Sequence, residues 1–291
     1  MPKDINIAKY AGFCYGVKRA VETVKKLKIE NPDKNIFILG ELIHNAHVIN
    51  ELSELGIKTV SSIKELEGNN GICVIRSHGE SPEIIEEIQQ LGFELIDLTC
   101  PDVKKVQQKA VEMAQNDDFV IIVGKAQHPE VIAIKANAQR FSEKVIVAAN
   151  IEELFTYEQD IKSHKKVGVV VQTTQTISTL NSIVEYLIPI SKELHIANTI
   201  CTSTSIRQNE AKKLAQNSKL MVVVGSKKSA NTTHLTEILS NITDTIHIEN
   251  VEELQNYTGI IEASEKISIT AGASTPQKII DNVFNKIRKE H

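Results

Sequence analysis

The sequence predicts an α/β protein made of three related domains, each with a small, mainly parallel sheet. Short β-branched runs alternate with helical patterns along the chain, which is typical of parallel sheets covered by helices. An extended stretch that leads into a cysteine and then a helix occurs three times, at Cys14, Cys100 and Cys201. We therefore expect three pseudo-threefold-related domains, covering residues 1–97, 98–198 and 199–291.

The first repeat begins with the extended stretch 5–10, which leads to Cys14 and a helix. The strand IFIL comes next, followed by a helix, the strand IKTV and the short helix IKEL. The strand ICVI ends in a polar loop, and Pro82 begins the next helix, a common place for proline. The strand ELIDLT then leads to Cys100 and the second repeat.

The second and third repeats show the same order of elements. The strands FVIIV and LMVVV take the place of IFIL, and the short helices IEEL and VEEL take the place of IKEL. One strand is missing, because the third repeat ends in the helix TPQKIIDNVFNKI. We therefore predict that the N-terminal stretch 5–10 completes the sheet of the third domain.

Composition and charge argue against several classes of function. A net charge of −4 gives no general attraction to nucleic acid or to anionic membranes, and 4% aromatic residues offer little for stacking on bases. No apolar run approaches the roughly 18 residues of a membrane span, and the N-terminus lacks a signal-peptide pattern. We expect a cytoplasmic protein without nucleic-acid or membrane partners. Its four cysteines then indicate metal binding or catalysis rather than disulfides.

The three repeat cysteines are predicted metal ligands. Each lies where a strand ends and a helix begins, and ligands of α/β sheets bind beyond the carboxyl ends of the strands. The helix N-terminus and nearby basic residues favour thiolate: Lys18, Arg19, Lys104 and Arg207. Three converging thiolates can hold three irons of a cubane cluster and leave the fourth iron without a protein ligand. Cys73 lies in mid-strand without a counterpart in the other repeats and is expected to be a core residue. The sequence has no C-x₂-C pair of the kind that often binds structural zinc.

The other loops at the repeat ends are rich in hydrogen-bond donors. Because helices begin nearby, these loops suit a diphosphate or a similar anion. The candidate residues are His44, His78, His128, Thr173, Thr174, Ser229, Asn231 and Ser274. Glu130 is the one carboxylate of this set and the candidate acid. Taken singly, each serine, threonine or asparagine is better explained by an N-cap or a loop hydrogen bond, and the residues do not rank Thr173 above Thr174.

The chain resembles the 4-hydroxy-3-methylbut-2-enyl diphosphate reductase family, the last enzyme of the non-mevalonate isoprenoid pathway. The motifs that carry the resemblance run in family order through nearly the whole chain: GFCYGVKRA, ELIHN, IRSHG, DLTCP, HPEV, QTTQ, TICTSTSIRQ, VVGSKKSAN and TAGAST. The resemblance implies three α/β domains around a central, oxygen-sensitive iron–sulfur cluster held by Cys14, Cys100 and Cys201. The implied cofactor is a [4Fe–4S] cluster with one iron that lacks a protein ligand, so a [3Fe–4S] form is also expected.

The resemblance also implies a reaction and roles for residues. Members of the family remove the substrate hydroxyl with two electrons and two protons, giving isopentenyl and dimethylallyl diphosphate, and reduced ferredoxin or flavodoxin supplies the electrons. Glu130 is the implied proton source, Thr173 orders the hydroxyl or a water, and His128 is implied as a further catalytic residue. The implied substrate ligands are His44, His78, His128, Thr173, Ser229, Ala230, Asn231 and Ser274.

Some residues depart from the family pattern. Ala230 stands within a loop that often reads Ser-Ser-Asn, so it can offer only a backbone N–H, and Gln127, Thr202 and Ser203 also differ.

Two other functions stay open: a quinolinate-synthase-like cluster lyase with three domains, and a non-enzymatic, anion-binding metal protein. The His-Pro-Glu and Ser-Ala-Asn loops favour a diphosphate over the first. Bound zinc without inorganic sulfide would favour the non-enzymatic metal protein.

Overall fold

The computed structural model describes residues 4–290 of the chain. Within these residues lie three four-stranded sheets, and the strand pairs in all of them are parallel. This arrangement confirms the predicted α/β class with small parallel sheets. The same residues include no helix with the length and hydropathy needed to cross a membrane.

The first repeat forms a sheet with the strand order β3-β2-β4-β5. Its elements and the strand that precedes them are β1 (Asp4–Ile7), α1 (Tyr15–Glu30), β2 (Ile36–Leu39), α2 (Ala46–Glu54), β3 (Ile57–Val60), a 3-10 helix (Ile63–Leu66), β4 (Ile72–Ile75), α3 (Pro82–Gln90) and β5 (Glu94–Asp97). Helix α3 begins at Pro82 as predicted. The hydroxyl of its N-cap, Ser81, accepts a hydrogen bond from the Ile84 N–H.

The second repeat forms a sheet with the order β7-β6-β8-β9. Its elements are α4 (Pro101–Gln115), β6 (Phe119–Val123), α5 (Pro129–Gln139), β7 (Val145–Ala148), α6 (Ile151–Leu154), a 3-10 helix (Phe155–Tyr157), α7 (Glu158–Ser163), β8 (Lys166–Val171), α8 (Ile177–Leu187) and β9 (Glu193–Ala197). The sequence prediction lacks α7, because a helix of 6 residues is too short to show a hydrophobic period.

The third repeat forms a sheet with the order β1-β12-β10-β11. Its elements are α9 (Thr202–Ala215), β10 (Leu220–Val224), α10 (Ala230–Ser240), β11 (Asp244–Ile248), a 3-10 helix (Glu252–Tyr257), α11 (Thr258–Ala263), β12 (Lys266–Ala271) and α12 (Gln277–Glu290). β1 pairs with β12, with Ile5 opposite Ile267, so the N-terminal strand completes this sheet as predicted. It ends at Ile7 rather than at Tyr10. The Ala8 N–H still donates to β12, but the N–H of Tyr10, which would be the next to do so, binds the Glu210 carboxylate instead, as does that of Lys9.

One strand order is common to the three sheets. In each, the first and third strands of the repeat are central neighbours, and the second and fourth strands lie at the edges. The connections that leave the first and third strands therefore run toward opposite edges of the sheet. Ligands of such sheets bind beyond the carboxyl ends of the strands, at the point where the connections diverge. The loops that follow these two strands carry most of the predicted diphosphate and acid residues.

The sheets are buried between their helices. Strands β2, β4, β6 and β10 are buried along their whole length, which is typical of parallel sheets covered on both faces. Cys73 lies in β4 with an exposure of 0%, and burial raises the pKa of its thiol to about 11. It is therefore the core residue expected from the sequence.

The chain forms two compact units. One contains residues 4–19, 43–51 and 202–290 with the sheet β1-β12-β10-β11, and the other contains residues 20–42 and 52–201 with the remaining two sheets. The predicted domain boundaries after residues 97 and 198 remain predictions.

Candidate active site

The three repeat cysteines occupy equivalent places. None of them forms a disulfide, each is partly exposed, and each directly precedes a helix, α1, α4 or α9. The backbone N–H of each donates to a carbonyl oxygen in the loop that follows the third strand of a sheet. These contacts are Cys100 to Ser77 at 3.0 Å, Cys201 to Thr173 at 3.0 Å and Cys14 to Ala273 at 3.2 Å. The repeated contact fixes each cysteine at the carboxyl end of a sheet.

Asp102 lies beside one of these thiols. The Sγ of Cys201 donates a hydrogen bond to its Oδ2 over 2.9 Å, and Asp102 is only two residues beyond Cys100. The first turn of α4 thus lies close to both Cys100 and Cys201. Asp102 could not be singled out from the sequence, because an acidic residue in the first turn of a helix is ordinary and carries no signal of a site.

Two of the basic residues expected beside the cysteines bind other groups. The Nζ of Lys104 lies 2.5 Å from Oδ2 of Asp97, and Nη2 of Arg207 donates to the carbonyl oxygen of Gly12 over 2.6 Å. That these two charges also favour the thiolate forms of the cysteines remains a prediction.

Glu130 and Thr173 form a buried pair. Glu130 lies in the first turn of α5, and its side chain is only 2% exposed. Its Oε1 accepts the Thr173 N–H at 2.7 Å, and its Oε2 accepts the Thr173 hydroxyl at 2.8 Å. Two separate elements, α5 and the loop after β8, therefore hold the candidate acid in one orientation.

The pKa of the Glu130 carboxyl is raised to about 7. Burial is the main cause, because desolvation penalises the charged form, and the negative charge of Asp102 acts in the same direction. The two hydrogen bonds from Thr173 oppose the shift. A carboxyl with this pKa can hold a proton near neutral pH and release it to a substrate, as a general acid must.

Two histidines lie beside this pair. His128 is the N-cap of α5, and its Nδ1 accepts the N–H of Glu130 at 3.2 Å. In the neutral ring the proton is then on Nε2, which is a hydrogen-bond donor. The ring of His78 packs edge-on against that of His128, with the ring centres 5.4 Å apart. The structure therefore brings together His78, His128, Glu130 and Thr173.

The remaining candidate ligands lie in the other compact unit. The Ser274 hydroxyl donates to the carbonyl oxygen of His44 over 3.1 Å. Ser229 occupies the N-cap position of α10, but its side chain makes no capping hydrogen bond there. Asn231 is buried in the first turn after Ala230, and within residues 4–290 its Nδ2 has no hydrogen-bond partner. A helix N-terminus with a buried donor of this kind suits an anion.

The whole chain is similar to proteins of one family. A family model described as LytB protein matches residues 5–288. A 4-hydroxy-3-methylbut-2-enyl diphosphate reductase of Syntrophotalea carbinolica is 39% identical over 284 residues, which is 97% of this chain and 98% of the relative. A protein of the same name from Aquifex aeolicus is 37% identical, covering 98% of this chain and 96% of the relative.

Two solved structures share the fold. One is described as (E)-4-hydroxy-3-methyl-but-2-enyl diphosphate reductase, the terminal enzyme of the non-mevalonate pathway. It is 36% identical, covers 99% of both chains and gives a TM-score of 0.71. The other is described as the E-1-hydroxy-2-methyl-but-2-enyl-4-diphosphate reductase from Plasmodium falciparum. It is 26% identical, covers 98% of this chain and 88% of that chain, and gives a TM-score of 0.86.

Proposed function

Since the chain belongs to the LytB protein family, we propose that it is a 4-hydroxy-3-methylbut-2-enyl diphosphate reductase. It converts (E)-4-hydroxy-3-methylbut-2-enyl diphosphate to isopentenyl and dimethylallyl diphosphate by a two-electron reductive dehydroxylation, the last step of the non-mevalonate isoprenoid pathway. The observation that carries the proposal is the buried Glu130, which has a pKa of about 7 and pairs with Thr173. The cytoplasmic location predicted from the sequence is part of this proposal.

The proposed cofactor is a [4Fe–4S] cluster with Cys14, Cys100 and Cys201 as ligands and one iron without a protein ligand. The residues fit this group, because the three thiols are partly exposed at equivalent strand ends, whereas Cys73 is fully buried. When bound, the cluster supplies electrons and a Lewis-acidic iron. Reduced ferredoxin or flavodoxin is the proposed electron donor.

The donor-rich loops are the proposed ligands of the diphosphate. His128 can donate from Nε2, because its Nδ1 is occupied by the N–H of Glu130. The buried amide of Asn231 and the N-terminus of α10, including the Ala230 N–H, attract negative charge. The other proposed ligands are His44, His78, Thr173, Ser229 and Ser274. Anchoring the diphosphate limits the motion of the allylic end of the substrate.

Glu130 is the proposed proton donor. The C–O bond breaks, and the leaving oxygen takes the carboxyl proton and departs as water. The second proton goes to the allylic carbon skeleton, so that the two electrons and two protons yield one product and one water. The N–H and hydroxyl of Thr173 hold both carboxyl oxygens, which keeps the acid oriented before the proton moves.

Anaerobic purification followed by iron and sulfide counting tests the proposal. We expect about four irons and four sulfides per chain, and turnover of hydroxymethylbutenyl diphosphate with a chemical reductant. A Cys100→Ala variant should lose both cluster and turnover. Its matched control, Cys73→Ala, should keep them, because Cys73 lies in the sheet core. Zinc without sulfide, or a full cluster without turnover, would contradict the assignment.

A further inference from the structure

Two side chains of α9 hold the backbone that leads to Cys14. The N–H groups of Lys9 and Tyr10 donate to the two carboxylate oxygens of Glu210, over 2.8 and 2.9 Å. The Nη2 of Arg207 donates to the carbonyl oxygen of Gly12 over 2.6 Å. Because residues three apart lie on the same face of a helix, one face of α9 binds three backbone groups of this short segment.

The segments before the other two repeat cysteines are held differently. The Thr99 hydroxyl donates to the carboxylate of Asp97. The Thr199 hydroxyl donates to the carbonyl oxygen of Val171 and accepts its N–H. The corresponding segment before the first cysteine, residues 11–13, reads Ala-Gly-Phe and has no polar side chain. Its side chains therefore make no such bond, and the Ala11 N–H donates to the carbonyl oxygen of Ala8 over 3.1 Å.

The charged pair occurs on one of the three helices that follow the repeat cysteines. At the positions equivalent to Arg207 and Glu210, α4 has Val106 and Lys109, and α1 has an alanine and a threonine. Arg207 is only 3% exposed, and burying a charged group is costly unless it is hydrogen-bonded. A carboxylate that accepts two N–H groups makes charge-assisted bonds, which are stronger than neutral ones. Helix formation alone does not account for these two residues.

We propose that Arg207 and Glu210 are positioning residues that hold the Cys14 thiol ready for the iron–sulfur cluster. The inference rests on the proposed function, in which Cys14 is a ligand. Gly12 has a φ of +91°, a conformation that favours glycine, and a Cβ there would lie 3.2 Å from the carbonyl oxygen of Thr275, so the turn before the cysteine leaves little room for another residue. The Cys14 N–H bond to Ala273, at 3.2 Å, is the longest of the three equivalent cysteine contacts. The α9 side chains add three hydrogen bonds to the backbone that leads to this cysteine.

Stability of the cluster in the full chain is the first test. In Glu210→Ala, iron release to a chelator from the reconstituted protein should be about tenfold faster than in the wild type. Glu210→Gln keeps one acceptor oxygen and should show a smaller acceleration, and so should Arg207→Lys, which keeps the charge. Asn209→Ala, at an exposed position of the same helix, is the matched control and should release iron at the wild-type rate.

Labelling of individual thiols in the metal-free protein is the second test. After a short pulse of iodoacetamide, mass spectrometry measures the modification of each cysteine. In Glu210→Ala the labelling rate of Cys14 should rise about fivefold, which corresponds to losing about 1 kcal/mol of restraint. Cys100 and Cys201 should keep their wild-type rates. Cys73 should stay unlabelled, because it is fully buried and reacts only when the fold opens.

An unchanged Cys14 rate, or an equal rise at Cys14, Cys100 and Cys201, would overturn the positioning role. Labelling of Cys73 in Glu210→Ala would show that this substitution opens the fold, and the Cys14 labelling rate in Glu210→Gln is then the deciding measurement. An unchanged Cys14 rate in Glu210→Gln would also overturn the proposal. Labelling needs neither substrate nor turnover. Selective labelling of Cys14 in a protein without reductase activity would therefore contradict the proposed function but not the positioning role. An unchanged labelling rate of Cys14 would contradict the positioning role alone.

Discussion

At the residue scale, opposing forces act on the carboxyl of Glu130. The two hydrogen bonds from Thr173 favour the charged form, and so does the N-terminal end of α5 in which the residue lies. Burial and the charge of Asp102 favour the neutral form, and the pKa of about 7 shows that burial prevails. The charged and neutral forms of the carboxyl are thus close in free energy at neutral pH, as the proposed role of proton donor requires.

Replacing Glu130 by glutamine should separate proton transfer from binding. The amide keeps the size of the side chain and can still accept the Thr173 N–H, so cluster content and KM should stay near wild type. kcat should fall about 10²- to 10⁴-fold, the usual contribution of a general acid. In the wild type, kcat should fall as pH rises above about 7, because the carboxyl loses its proton. Steady-state kinetics across this pH range measure both effects.

The control is Glu143→Gln, at an exposed position, which should leave kcat and its pH profile unchanged. Near wild-type reduction by Glu130→Gln would remove Glu130 from the role of acid.

The same pKa predicts how stability depends on pH. The folded-state pKa of about 7 lies above the ordinary value of 4.5, so the folded protein binds this proton more tightly than the unfolded chain does. Its contribution to stability is fully present below pH 4.5 and is lost as pH rises to about 7. The full difference is about 3 kcal/mol, at 1.36 kcal/mol per pKa unit. Urea unfolding of the wild type and of Glu130→Gln, both metal-free, at about pH 5 and about pH 8 measures most of this difference.

The comparison between the two proteins isolates Glu130 from other titrating groups. His195 also has a raised pKa, mainly through its hydrogen bond to Asp118, and it titrates in both proteins. The wild type should therefore lose more stability than the variant between the two pH values. Equal losses would show that burial does not shift Glu130 in the folded protein.

At the scale of elements, buried strands and proline-started helices could be predicted from the sequence, because local residues decide them. FVIIV forms β6 residue for residue, and α3 begins at Pro82. The end of β1 could not be predicted, because the carboxylate that binds the Tyr10 N–H, that of Glu210, lies 200 residues beyond it. Asp102 was missed for the same reason, since its role beside Cys201 depends on a contact distant in sequence.

The glycine at the end of β6 is closely packed against neighbours of Glu130, the proposed acid. A Cβ at Gly124 would lie 2.8 Å from Oε1 of Gln172 and 2.8 Å from a methyl group of Val131. These neighbours flank Thr173 and Glu130 in the chain. Gly124→Ala should therefore displace the loop after β8 from α5, cost about 1–3 kcal/mol of stability as overpacking does, and lower kcat. Thermal unfolding and steady-state kinetics measure the two effects.

Gly259→Ala is the matched control for this substitution. Gly259 lies in α11, and a Cβ there would meet nothing within 4 Å. Because alanine favours helix over glycine, this change should leave stability equal or raise it by up to about 1 kcal/mol. If both variants kept full stability and turnover, the close approach at Gly124 would have no role in holding the acid.

At the scale of the whole molecule, the N-terminal strand belongs to the sheet of the last repeat. The three sheets share one strand order only because β1 supplies the fourth strand beside β12. This pairing was predictable from the sequence. The third repeat has one strand fewer than the other two, and one extra strand precedes the first cysteine. Continuity of the chain then makes β1 the element that delivers the Cys14 segment to the glutamate and arginine of α9.

Proline substitutions in β1 test whether this pairing holds the molecule together. The N–H groups of Asp4 and Ala8 donate to carbonyl oxygens of Glu265 and Ile269. The period of two in a strand therefore turns the N–H of Asn6 toward β12 as well, and that of Ile7 away from it. Asn6→Pro removes a ladder bond and leaves an acceptor on β12 unpaired, which should cost about 1–3 kcal/mol. Thermal unfolding measures the loss.

Ile7→Pro is the matched control, because its lost N–H faces away from the ladder, so its cost should be smaller. Asn6→Pro should also raise the labelling of Cys14 more than Ile7→Pro does, since β1 and the Cys14 segment are continuous. If the two prolines had equal effects, backbone stiffness rather than the ladder would explain them. If neither had an effect, the pairing of β1 with β12 would add nothing to the stability of the fold, and the α9 contacts alone would have to hold the first cysteine.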